Sequence, residues 1–215
     1  MNDSIEQTAE LLDRLCAEAV EDRSVLSELF EKARPRLLRI VALRSPSQLQ
    51  QRADPDDIVQ ETFIRATERF ESYAREGQVP VFVWLRGLAY DMLIEFQRKH
   101  LRAAKRAVGR EAAKRNWLQE TSLEMTQFWD SDAKSPSQII SDRQRVEDLK
   151  RAIEQLPENY REVLVLRFFE SLSVVETAAA MECTVANAKV LQFRAMKKLQ
   201  AIVTSQFGWE SADKR

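Results

Sequence analysis

Apolar residues recur at helical spacing from the start of the chain. Ile5, Ala9, Leu12, Leu15 and Ala19 fall on one face of a helix over about 5–20. A second helix from about residue 24 buries Leu26, Leu29, Phe30, Ala33, Leu37 and Ile40, with Ser24 placed to cap it. After a break at Ser45-Pro46-Ser47, Asp54-Pro55 supplies an N-cap residue with proline at the first helical position, predicting a helix to about Phe70. Gly77 and Pro80 bound a loop, and Val81 opens a long helix with Leu85, Leu88, Met92 and Phe96 on one face. That helix is apolar nearly all round, with Val83, Tyr90 and Ile94 opposite and Trp84 between, as in a central bundle helix or one with a second, functional face.

The pattern resumes after Ser135-Pro136-Ser137. Leu149, Ile153 and Leu156 mark a helix that Pro157 ends, and Tyr160–Phe169 carries Tyr160, Val163, Leu164 and Phe168. Two helices follow, Val174 to Met181 and Val185 to about Val203, joined by Glu182-Cys183-Thr184. Ala178 and Ala179 are small enough for close helix contact and Thr184 can cap the second helix, an outline shared by helix-turn-helix motifs and plain helical hairpins. The expectation is an all-α chain of two small helical domains joined by a linker, the C-terminal one containing a helix-turn-helix. The boundaries are a first domain over 1–102, a linker over 103–136, a second domain over 137–204 and a tail over 205–215.

Composition agrees: 215 residues can hold two modest cores, and only 4 glycines and 6 prolines disfavour a turn-rich sheet protein. Cys16 and Cys183 fit neither a disulfide framework nor a metal pair, and a reducing cytoplasm suits them. The single histidine, His100, lies among lysines and arginines, so no metal site is expected. Neither a signal peptide nor a membrane-spanning run is recognisable, which predicts a cytoplasmic protein without membrane insertion. Nucleophile-base pairs, phosphate loops and cofactor motifs are also unrecognisable, so no enzyme, catalytic residue or cofactor is expected.

The net charge of -1 is uninformative, but its distribution is not. Arg98 to Arg115 holds eight lysines or arginines against the single acid Glu111, either as a solvated helix face or as a phosphate-contacting stripe. From Glu120 to Asp132 the chain turns acidic, with Trp117, Phe128 and Trp129 interspersed or adjacent. At about 100° per residue, Val185, Ala188, Ala195, Met196 and Leu199 gather on the core side of the last helix, together with a puzzling Gln192. Ala186, Asn187, Lys189, Val190, Phe193, Arg194 and Lys197 gather opposite, and Thr184 to Gln200 contains no acid. Such a helix can enter a major groove, with polar groups near base edges or phosphates and Val190 or Phe193 near a thymine methyl. On the helix from Pro55, Ile58, Val59, Phe63, Ala66 and Phe70 face inward. Asp57, Gln60, Glu61, Ile64 and Glu68 form an outward stripe, either simply solvated or able to dock a basic helix around an apolar Ile64 anchor.

Two blocks resemble bacterial sigma factors of the extracytoplasmic-function type. DPDDIVQETFIRA (54–66) and FVWLRGLAYDMLIEFQRK (82–99) are similar to region two; LPENYREVLVLRFFESLS and ETAAAMECTVANAKVLQFRAMKKL are similar to region four. The resemblance implies that the protein binds core RNA polymerase and directs it to promoter DNA. Asp57, Gln60, Glu61 and Ile64 would bind the polymerase clamp. The Glu71–Val79 loop and the helix after it, with Trp84, Tyr90, Arg98, Lys99 and Arg102, would capture and open the minus-10 element. Thr184, Asn187, Lys189, Val190, Phe193, Arg194 and Lys197 would read the minus-35 element. The acidic linker would run through the polymerase toward the RNA exit path, and an anti-sigma factor is a further candidate partner. Asp91, Tyr90 and Leu191 depart from common family residues, so the resemblance implies positions and not base preferences. Two rivals predict otherwise: a helix-turn-helix regulator would bind DNA without polymerase, and a helical adaptor would bind no DNA.

Overall fold

The computed structural model describes residues 2–45, 54–77, 79–101 and 148–208, and every described element is helical. The chain opens with α1 (Asn2–Glu21), α2 (Val25–Arg44), α3 (Pro55–Glu76) and α4 (Val81–Leu101), which pack as one bundle. Leu12, Leu29, Leu37, Ile40, Ile58, Phe70, Phe82 and Leu85 are almost fully buried in its core, at about 1.5–3 kcal/mol for each large apolar side chain. Phe30 and Phe63 stack across α2 and α3, with centroids 4.7 Å apart.

The helix starts are fixed by hydrogen bonds, two of them unexpected. Asp54 accepts from the Asp56 N–H at 2.9 Å, as its position before Pro55 predicts. Ser24 makes no side-chain cap; Asp22 instead accepts from the Ser24 N–H at 2.9 Å, because Ser24 is itself helical in conformation. The Val81 N–H that opens α4 donates to Asp13 Oδ1 at 3.0 Å, so α4 is capped from α1. Helix α3 continues past Phe70 to Glu76 and ends at Gly77, whose φ of 44° is the left-handed conformation that glycine adopts without a Cβ penalty.

The second group begins with α5, spanning 148–154, and continues with α6 (Glu158–Leu164). Helix α6 passes into one wide π turn, Val165–Phe169, before α7 (Val174–Ala180) and α8 (Val185–Phe207). Leu156, Val163, Leu164 and Ala195 form one cluster; Leu149, Ala152, Ile153 and Val203 form another. A capping box starts α7: Ser173 Oγ accepts from the Glu176 N–H at 3.1 Å, and Glu176 Oε2 accepts from the Ser173 N–H at 2.6 Å. Thr184 caps α8 by accepting from the Asn187 N–H at 3.2 Å.

Helix α8 is rolled from the expected orientation. Ala188 and Ala195 are buried and Leu199 packs inward as expected, but Val185 and Met196 face solvent, while Leu191 packs inward in their place. Gln192 stays on the inward side where the periodicity put it, and it has a reason to be there: its Oε1 accepts from Arg167 Nε at 3.2 Å, supplying a buried guanidinium with an acceptor. The two groups of helices also touch. Leu166 and Leu172, from the π turn and the bend after it, are fully buried in the cluster that forms the first bundle's core.

Candidate nucleic-acid interface

Three surfaces present the residues singled out in the sequence. On α3, buried Ile58, Val59, Thr62, Ala66 and Phe70 hold one face against the bundle, with Phe63 half-buried beside them. The helix therefore turns Asp57, Gln60, Glu61, Ile64 and Glu68 to solvent, and Ile64 is 51% exposed. A large apolar side chain is thus held in water inside an acidic stripe.

The second surface surrounds the α3–α4 loop. Trp84 lies half-buried against Tyr73, with centroids 4.2 Å apart and planes at 13°, and Phe70 beneath at 6.5 Å. Tyr73 donates its hydroxyl to the Val79 carbonyl at 2.8 Å, bracing the loop. Burial of Tyr73 pushes its phenol well above the ordinary range, so it remains a neutral donor. Phe82 is core. Arg98 is exposed on the same helix; the side chain of Lys99, and Arg102 and the rest of the basic run, lie outside the described residues, as do the linker and 209–215. Tyr90 stands apart from Trp84, under the second group of helices.

The third surface is α8. Thr184, Asn187, Lys189, Val190, Phe193, Arg194 and Lys197 are all exposed, with Phe193 at 69% and Val190 at 44%. No acid lies on that helix from Val185 to Phe207. The Met181-Glu182-Cys183 turn that precedes it is tight, with Glu182 at a φ of 52°. A seven-residue helix, a short turn and a cationic second helix give the helix-turn-helix outline.

A model of the family described as Sigma-70, region 4, matches residues 147–199, which contain the helix-turn-helix. The ECF RNA polymerase sigma factor SigD of Mycobacterium tuberculosis is 31% identical over 198 residues, spanning 92% of this chain and 86% of SigD. The chain belongs to the extracytoplasmic-function sigma factors. This sigma factor is also 26% identical over 196 residues to the ECF RNA polymerase sigma-E factor of Salmonella typhimurium, spanning 88% of this chain and 93% of the relative. A looser likeness is to a solved structure of CnrH in complex with the cytosolic domain of CnrY: 19% identity, 91% and 99% coverage, TM-score 0.48.

The periodicity of the sigma factor's sequence did not reveal a buried charged cluster between its two groups of helices. Glu170, 1% exposed, accepts from Arg44 Nε at 3.0 Å, Arg86 Nε at 2.5 Å and the Tyr90 hydroxyl at 2.7 Å. Burial alone would push the Glu170 carboxyl up, but Arg44 and Arg86 outweigh it and hold it below the ordinary glutamate value. Burial beside the same carboxylate raises the Tyr90 phenol. Arg36 reaches Glu176 through Nη1 at 3.0 Å and Nη2 at 2.7 Å. Among the described residues, no His/Cys/Asp/Glu group could hold a metal ion, and no helix is long and apolar enough to cross a membrane.

Proposed function

We propose that the two helical groups perform separate parts of initiation: the first, within 1–102, engages the polymerase clamp and the minus-10 element, and the second, within 137–204, reads the minus-35 element. The observation that carries this reading is the pairing of two opposite surfaces in one chain, the acidic α3 stripe with its exposed Ile64 and the acid-free exposed face of α8. Asp57, Gln60, Glu61 and Ile64 then bind a basic helix of core RNA polymerase by charge complementarity around an apolar anchor. Trp84, braced on Tyr73, supplies a flat surface for an unstacked base. Tyr90, Arg98, Lys99 and Arg102 are assigned to the same minus-10 element, with Tyr90 apart from Trp84 and bonded to Glu170. Thr184, Asn187, Lys189, Val190, Phe193, Arg194 and Lys197 enter the major groove of the minus-35 element.

The partners are core RNA polymerase, promoter DNA and an anti-sigma factor, and the protein works in the cytoplasm without catalysis of its own. Residues 103–136 serve as the linker between the DNA-reading parts. The test is promoter-directed transcription with core polymerase and the chain carrying Arg194→Ala with Lys197→Ala. Loss of initiation with core binding retained supports the α8 assignment; undiminished initiation removes it.

A further inference from the structure

Beside the buried Leu166 and Leu172, most polar contacts between the two helical groups run from arginines of the first to acceptors of the second, whereas Glu6 of α1 accepts from the Val174 N–H at 3.0 Å and faces Arg167 at 3.5 Å. Besides the Glu170 and Glu176 pairs, Arg36 Nη2 donates to the Ser171 carbonyl at 3.0 Å and Arg39 Nη1 to Ser171 Oγ at 3.1 Å. Arg36, Arg39 and Arg44 come from α2 and Arg86 from α4, whereas Glu170, Ser171 and Glu176 belong to the second group. Aromatic rings floor this basic face: the Arg36 guanidinium lies 3.5 Å from the Phe82 ring centroid, and Arg86 lies 4.4 Å from that of Tyr90.

We propose that Arg36, Arg44 and Arg86, with Tyr90, form a DNA-phosphate site on the first helical group, for which Glu170 and Glu176 compete when the two groups close. The inference rests on the reading of the chain as two DNA-reading parts, and it adds a binding site and a device that occludes it. A guanidinium fork that grips a carboxylate grips a phosphate by the same geometry. Glu170 offers two oxygens to donors on two different helices, as a backbone phosphate would. Tyr90, assigned above to the minus-10 surface, donates to that carboxylate and so has its hydroxyl engaged in the closed form.

The closed contact is also suited to release. Burying ion pairs removes hydration from both partners, so their net contribution is far smaller than their Coulomb attraction. The fit is incomplete, since Arg36 Nε is buried without a partner. Positive φ at Ser171, 54°, adds backbone strain at the point of contact. Opening would expose a group of guanidinium charges that DNA phosphates can answer, and the polyanion competes for the site that the carboxylates leave.

The test uses the full chain without polymerase. Small-angle scattering reads its radius of gyration, and fluorescence anisotropy reads binding of a fluorescein-labelled mixed-sequence DNA duplex. Glu170→Gln is expected to expand the chain and tighten DNA binding by roughly tenfold, the gain expected if closure hides the site about nine-tenths of the time. Adding Arg44→Gln and Arg86→Gln should cancel the gain while the chain stays expanded. Expansion without tighter binding, a gain that survives loss of both arginines, or a chain that stays compact with unchanged affinity would each overturn the proposal. Circular dichroism checks folding, and if Glu170→Gln unfolds, Ser171→Arg, which sets another cation against Arg36 and Arg39, replaces it under the same criteria. Co-elution of Glu170→Gln with core polymerase separates the two readings: failure of the site with polymerase binding intact leaves the initiation role standing.

Discussion

Trp84 lies flat on Tyr73, with ring centroids 4.2 Å apart, and the Tyr73 hydroxyl is bonded to the Val79 carbonyl. One residue therefore sets both the plane of the tryptophan and the path of the loop after Gly77. Tyr73→Phe, which removes only the hydrogen bond, is expected to cost about 1 kcal/mol. Tyr73→Leu should cost about 1 kcal/mol more through the lost ring pair. Urea unfolding checks both values, and permanganate footprinting of a promoter with core polymerase should show weaker strand opening in Tyr73→Leu.

The capping box at Ser173 makes a second prediction. Ser173 is buried, and its hydroxyl satisfies the Glu176 N–H at the start of the first helix of the helix-turn-helix. Ser173→Ala should destabilise the protein by about 1 kcal/mol, and Ser173→Asp, which keeps the acceptor but sets a second carboxylate beside Glu176, should not restore it fully. Denaturant midpoints at unchanged slope check the order wild type, Asp, Ala.

Acidity should loosen the closed form only far below neutrality. Glu170 faces Arg44 and Arg86 and the phenol of Tyr90, and Glu162 lies within electrostatic reach of Arg44. Its carboxyl is held below the ordinary glutamate value, so the stability it contributes is complete above that value, about 4.3, and is lost as pH falls through the lowered one. The radius of gyration should therefore stay constant from about pH 7 to pH 5 and rise only under stronger acid. Expansion already complete at pH 5 would contradict this role of Glu170.

Much of the fold was legible because burial and periodicity coincide. The inward residues of α1, α2 and α3 were read from spacing alone, as were the caps at Asp54 and Thr184. What was not legible depends on residues distant in sequence. Asp13 caps α4 from 68 positions away, the partner of the inward Gln192 is the distant Arg167, and α8 is turned enough to expose Val185 and Met196. Glu170 looks like any surface acid until Arg44 and Arg86 are brought to it from the other group of helices. Along the candidate surfaces, the exposed residues of α3 and α8 could be read because each face is local to one helix. The occlusion of Tyr90 could not, because it arises between the two groups.

The central claim is that the acidic face of α3 joins this chain to polymerase. Size-exclusion chromatography of the purified protein with bacterial core RNA polymerase tests it most directly, with Asp57→Arg/Glu61→Arg run beside the wild type. The account predicts that the wild type co-elutes with the core enzyme and that the charge-reversed variant, folded by circular dichroism, elutes alone. Equal co-elution of the two proteins, or none by the wild type, would contradict it.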